Sequence, residues 1–190
     1  ALTVNAIETP SINLFKSEIF GDAHDNGLDV NILLRDRARK DRYALSGLFT
    51  VQDSDFRFSM KPENLLLNYD KWTVNPDNFI QYGPQGILAN NFSLSQGSQL
   101  LRLESASSTA GAPLNVTLKD FNIETLTSFA DTDSALVGGI INGEAQLRDI
   151  QTELKFDANL VVNKLRFQKD ELGTLRLDAN NASTDAIEIN

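Results

Sequence analysis

The chain has no cysteine, one histidine, one tryptophan and one methionine among its 190 residues. Without cysteine there is no disulfide scaffold, no thiolate zinc site and no thiol nucleophile. His24 sits in the run Gly-Asp-Ala-His-Asp-Asn-Gly, which reads as a solvated turn, and no second imidazole exists to complete a transition-metal site. Asp22, Asp25 and Asp29 offer oxygen ligands there, but their spacing does not match a calcium loop. No metal and no cofactor is expected. Basic residues are scarce as well, 17 Lys and Arg against 26 Asp and Glu, and the net charge of −9 argues against a nucleic-acid partner. Apolar runs are short, Leu65 to Leu67 being typical, far from the roughly 18 residues that a spanning helix needs. No signal peptide opens the residues given and the last ones read as a strand cut in mid-course. Any anchor or export signal is therefore expected elsewhere in a longer protein. There is no Gly-x-Ser-x-Gly elbow, no histidine placed as a base and no phosphate loop, so the chain is not expected to be an enzyme.

Period-two alternation is abundant. Ala135, Val137, Gly139, Ile141, Gly143, Ala145 and Leu147 occupy alternate positions, and Leu154, Phe156, Ala158, Leu160 and Val162 repeat the pattern opposite Glu153, Lys155, Asp157 and Asn159. That pattern predicts strands with one apolar and one wetted face. Leu165 and Phe167 are out of phase with Val162, which predicts a bulge at Asn163-Lys164. Leu175, Leu177 and Ala179 resume the alternation, as do Ile187 and Ile189. In the first half, Leu28, Val30 and Ile32 are expected to pair with the Tyr43 to Val51 stretch across a polar hairpin connection, Asp36 to Arg42. Short strands follow around Phe56–Met60, Leu65–Tyr69 and Trp72–Val74, then a pair through Ile87–Leu94 and Leu100–Leu103. The stretch 105–113, with Gly111 and three alanines, reads as a linker between tentative modules 1–105 and 112–190. One short helix is expected near 121–130, capped by Asn122, with Ile123, Leu126 and Phe129 or Ala130 on one face; a strand through Phe121 to Ile123 is the alternative.

One charge feature stands out. Arg35, Arg37, Arg39, Lys40 and Arg42 place five of the 17 basic residues in eight positions, mixed with Asp36 and Asp41. The plain reading is a solvated hairpin tip with local ion pairs. The sharper one is a contact for lipid phosphates or an acidic partner.

Two stretches carry a family resemblance. Leu65 to Leu103 reads LLLNYDKWTVNPDNFIQYGPQGILANNFSLSQGSQLLRL, and Leu114 to Ala182 contains LNVTLKDFNIETL, LVGGIINGEAQL, LKFDANLVVNKLRF and LGTLRLDA. In order and content these resemble the Bacteroidetes-type members of the TamB family, within the AsmA-like group. A proline found after the Gly-containing strand in many members is missing here. The resemblance implies an all-β fold in which a long curved, mostly antiparallel sheet forms a U-shaped trough, the β-taco, with an apolar interior. It also implies a periplasmic place in the Gram-negative cell envelope, anchored at the inner membrane by a segment outside these residues. Phospholipid acyl chains, and an outer-membrane barrel of the BamA/TamA type met through the full-length protein, are the implied partners. The implied roles are lipid transport between the membranes and support of outer-membrane protein assembly.

The expected groove face consists of Val137, Ile141, Leu147, Leu154, Phe156, Leu160, Val162, Leu175 and Leu177. The same residues could instead fill a closed core. A surface or secreted β-sandwich that binds protein or glycan is the alternative function, with Tyr69, Trp72, Phe79 and Tyr82 as contact aromatics. Open sheet edges also predict self-association of the isolated chain.

Overall fold

The structure, a computed structural model, describes residues 2–8, 13–24, 27–127, 137–183 and 186–189. It is all-β, built from two antiparallel sheets with no closed barrel. The chain first lays down β1 (Leu2–Glu8), β2 (Asn13–His24), β3 (Gly27–Arg35), β4 (Asp41–Gln52) and β5 (Asp55–Met60) as a meander. The short β6 (Leu66–Leu67) and β7 (Asp70–Lys71) branch from β4, and β9 (Phe79–Gly83) and β10 (Gly86–Asn90) complete this first sheet beside β5. The second sheet begins with β8 (Thr73–Val74), β11 (Phe92–Gln96), β12 (Gln99–Ser105) and β13 (Leu114–Asn122). It continues through β14 (Val137–Arg148), β15 (Lys155–Phe167), β16 (Asp170–Ser183) and β17 (Ala186–Ile189).

Register shows why alternation was so legible. Across the second sheet, Val74, Leu94, Leu101, Leu118, Gly143, Leu160 and Leu177 are successive cross-strand partners, so one row of apolar side chains crosses seven strands. A parallel row runs Phe92, Leu103, Val116, Ala145, Ala158, Ala179. In the first sheet the matching rows are Ile19, Ile32, Leu45 and Leu28, Phe49, Phe58, Ile80, Ala89. Each sheet therefore has one apolar face, and the core forms where the two meet. Leu65, Trp72, Val74, Phe92, Leu94 and Phe121 are its buried centre, with Leu45, Met60 and Ile80 from the first sheet and Leu101, Leu103, Leu118 and Ile141 from the second packed around it. Trp72 and Phe121 meet with ring centroids 5.7 Å apart in a tilted arrangement.

Side-chain amides hold the place where the chain changes sheet. It crosses from β8 to β9 through Asn75–Asn78, and again from β10 to β11 at Asn91, whose φ of 51° is in the left-handed region that Asn tolerates. Asn78, 2% exposed, accepts from the Met60 amide at 2.9 Å and donates to the carbonyls of Met60 (2.7 Å) and Asn75 (2.5 Å). Asn75 donates to the Asn91 side chain at 2.7 Å, and the Asn91 amide donates to Glu104 at 2.8 Å. Asn78 is thus a buried polar joint with its amide capacity spent.

Several expectations change in detail. Ile87–Leu94 is two strands in different sheets, because the turn at Asn91 flips the inward set from Ile87 and Ala89 to Phe92 and Leu94. The stretch 105–113 joins the paired strands β12 and β13 within one sheet. Ala106 N–H donates to Pro113 C=O, and Gly111 N–H to Ile87 C=O in the other sheet. The helix, α1 (Glu124–Thr127), starts later than expected because Phe121 and Asn122 still pair with β14; Phe129 and Ala130 lie outside the described residues. Gly21 to His24 is the end of β2, not a turn, while Asp25 lies outside the described residues. The bulge expected at Asn163-Lys164 is present: the β15–β16 register shifts between Val162 and Leu165, Lys164 has φ 51°, and β14 shifts opposite it at Gly139.

Three substitutions test this frame. Asn78→Ala strands the Met60 amide and two carbonyls in a buried corner and should lower stability by about 3 kcal/mol. Phe121→Ala should cost about 3–5 kcal/mol, while Leu172→Ala, at a side chain 64% exposed, should stay within about 0.5 kcal/mol. Chemical denaturation monitored by circular dichroism reads all three.

Candidate functional site

The inward faces of the two sheets are the first candidate. Of the expected groove residues, Ile141, Val162 and Leu175 form one cross-strand row, Leu160 and Leu177 a second, and Leu147 and Phe156 a third, all on the apolar face of the second sheet. Val137 lies beyond the bulge, opposite Phe167. Leu154 precedes β15 and is 47% exposed; its carbonyl accepts from Asn181 at 2.6 Å while Asn181 takes the Phe156 amide, also at 2.6 Å. Cover along the face is uneven. Val162 is buried, Ile141, Leu147, Phe156, Leu160 and Leu177 are half-buried, and Leu175 is 46% exposed.

The first sheet contributes an uncovered apolar area that the alternation alone did not single out. Phe49, Val51, Phe56 and Tyr82 are exposed at one end of its inward face, where Val51, Phe56 and Tyr82 are cross-strand partners and Phe49 pairs with Phe58, ring centroids 4.6 Å apart. Phe49 shares the parity of the buried Tyr43 on β4, and Phe58 and Phe56, paired with Phe49 and Val51, carry the same face onto β5. The opposite face of the second sheet is mainly polar. On the second sheet Arg102, Thr117, Glu144, Asn159 and Asp178 make a cross-strand row lining an open hollow of about 590 Å³.

The basic cluster is a structured hairpin tip rather than a free cationic patch. Arg35 donates to Glu18 at 2.8 Å, to Asp41 at 2.9 Å and to the Lys16 carbonyl. These carboxylates raise its pKa further, the bond to Glu18 being the main cause and partial burial opposing it. Arg42 bonds Asn68 at 3.1 Å and lies over the Tyr43 and Tyr69 rings, Lys40 stands 4.8 Å from the Tyr69 centroid, and Arg37 faces Phe15. Arg39 is exposed, with φ 62° in the turn. Tyr69 therefore anchors the tip, and its hydroxyl donates to Asp36 at 2.8 Å. Burial opposes ionisation of Asp36, but that hydroxyl, the Lys40 and Ala38 amides and the Arg42 charge together hold its carboxyl below the ordinary range. Tyr69 is raised in turn, by burial first and by Asp36 second.

No family model matches the chain, and no curated protein or solved structure does. The likeness to the TamB family therefore rests on the sequence motifs alone.

Among the described residues no group of three or more His, Cys, Asp or Glu is placed to hold a metal ion. Asp29, one of the carboxylates considered for calcium, instead meets Lys61 at 2.7 Å and His24 at 3.5 Å. Its pKa is lowered chiefly by the Lys61 hydrogen bond, against some desolvation. Of the aromatics considered for partner contact, Trp72 is core, Tyr69 serves the hairpin tip, and Phe79 lies under Arg57 at 3.4 Å; Tyr82, 55% exposed, is open.

The Asp36 contact is testable by pH. A depressed folded pKa adds stability above the unfolded value of about 3.9, and that stability is lost as pH falls through the lower folded value. Tyr69→Phe should bring the Asp36 pKa back toward its ordinary value, read by carboxyl-carbon NMR titration, and shrink the acid-side stability loss of the hairpin.

Proposed function

We infer that the inward apolar faces form a lipid-carrying groove, and that the chain is a non-catalytic segment of a TamB-like envelope protein. The observation that carries this reading is the continuity of the apolar rows: they extend across strand after strand well beyond the part that Trp72 and Phe121 fill. Past that centre the rows remain apolar yet uncovered, at Leu175 on one sheet and at Phe49, Val51 and Phe56 on the other. A closed sandwich has no use for such a margin. Adjoining exposed apolar side chains on one face are a binding surface when they extend over several hundred Å².

Acyl chains suit this surface. Their transfer from water is worth about 0.8 kcal/mol per CH₂, and they ask for no hydrogen-bond partners, which the face does not offer. Placement in the periplasm, a lipid or assembly role between the two membranes and contact with a BamA/TamA-type barrel through the full-length protein follow from the family resemblance. The open edges of β1 and β17 are consistent with pairing to neighbouring chain segments, or to another copy when the stretch is isolated. Exposed Arg39 and Lys40 at the hairpin tip are available to lipid phosphates or an acidic partner.

A second reading, a sandwich module that binds protein or glycan, draws support from the polar hollow on the outer face of the second sheet. There Glu144, Thr117, Asn159 and Asp178 stand in line across four strands.

Native mass spectrometry with lipid extraction, on the chain expressed in a bacterial periplasm, separates the two. Co-purified phospholipid is expected. Leu175→Asp, at a half-exposed margin, should release lipid while leaving the β-rich circular dichroism unchanged. Val162→Asp, at a side chain 8% exposed, should instead cost several kcal/mol in folding stability, on the order of the penalty for burying an unpaired polar group. A lipid-free protein whose Leu175→Asp variant unfolds would make the face a closed core and favour the sandwich reading.

A further inference from the structure

The first sheet carries a second concavity, on the face opposite the apolar one. β4 forks at Ser46 and Gly47: beyond them it pairs with β5, and before them with β6, Ala44 opposite Leu66. The β6–β7 hairpin thereby extends the outer face of β2, β3 and β4. Two outer rows result. Glu18, Leu33, Ala44, Leu66 and Lys71 are successive partners across five strands. Asn31 and Ser46 face each other beside that row, joined at 2.6 Å, with Asn64 and Thr73 continuing their line along the hairpin. Together these residues line an open cavity of about 770 Å³.

The ligand chemistry follows from the order of the row. Leu33, Ala44 and Leu66 make an apolar stripe bordered by the polar Asn31 and Ser46, within a cavity of the size that small-molecule sites have. Its two ends differ in charge. At the β2 end Glu18 and Asp41 are both engaged by Arg35. At the β7 end Lys71 is exposed and makes no ion pair among the described residues. From Lys71 to Leu33 the row crosses three strand spacings, about 14 Å. We propose that this cavity binds a medium-chain apolar carboxylate, its alkyl body along Leu66, Ala44 and Leu33 and its carboxylate on Lys71. The acidic end excludes a second negative group there, so a monoanion fits and a dianion with charge at both ends does not. The site lies on the face opposite the proposed lipid groove and does not rest on that reading.

Isothermal titration calorimetry of the 190-residue chain with sodium dodecanoate below its micelle concentration tests it, with dodecanol and dodecylammonium as uncharged and cationic counterparts. The expected result is a saturable dodecanoate site that depends on Lys71, with weaker binding of dodecanol there and the weakest of dodecylammonium. Lys71→Glu, at an exposed position that leaves the fold intact, should weaken dodecanoate by about tenfold or more, the size of one charge-assisted contact, without changing dodecanol. Leu175→Asp, on the inward face of the other sheet, should leave the Lys71-dependent binding of dodecanoate unchanged. Absence of saturable heat overturns the proposal, as does equal binding of the anion and the cation. Loss of binding in Leu175→Asp with none in Lys71→Glu would move the ligand to the inward groove and overturn the outer site while sparing the groove reading.

Discussion

Trp72 and the side chains around it are the point on which both sheets depend. The chain passes from one sheet to the other there, through Trp72 itself, through Asn75–Asn78 and through Asn91, and the indole packs against Phe121 of β13. Each sheet carries an apolar inward face that it cannot hide alone. Bringing the two faces together at a shared corner removes the most apolar stretch of each from water. The rest of each sheet is then propagated outward by main-chain pairing, with progressively less cover from the opposite side.

The corner also shows how polar groups are used where the backbone must turn inside a core. Asn78 meets the hydrogen-bonding needs of Met60 and Asn75 at once, and Asn91 takes a left-handed conformation that a β-branched residue would resist. Satisfying those groups locally lets the strands switch sheets without leaving unpaired amides. At Gly143 a related constraint acts on the apolar row. Its φ of 137° and the Asn159 carbonyl, 2.1 Å from where a Cβ would stand, explain why a row otherwise filled by valine and leucine contains a glycine.

Function and fold are linked through what the sheets leave uncovered. The inward margins at Leu175 and at Phe49, Val51 and Phe56 are continuous with the packed centre, so a guest there would extend the core rather than occupy a separate pocket. The outer cavity arises differently, from the fork in β4, and it offers a lone cation beside an apolar stripe. The hairpin tip, whose cations were read from the sequence as a group, divides on inspection. Arg35 is consumed by Glu18 and Asp41, Arg42 by Asn68 and aromatic rings, and Arg39 stands clear.

By itself the sequence determined that this chain is β-rich, one-sided and without the means for catalysis by thiol or paired imidazoles. Alternation from Val137 to Val162 reports directly on which face of a strand is buried, because successive side chains must point in opposite directions. The bulge near Lys164 was legible for the same reason, as a slip of phase. A like slip at Asn90-Asn91, where the inward set passes from Ile87 and Ala89 to Phe92 and Leu94, marks the change of sheet, although a turn between two strands of one sheet leaves the same trace. Only the tertiary structure decided which strands share a sheet, that the 105–113 stretch joins paired strands, and that β4 divides its edge between β5 and β6. Those depend on pairing between residues far apart in the chain, and alternation carries the face of each residue but not the identity of its neighbour across the strand.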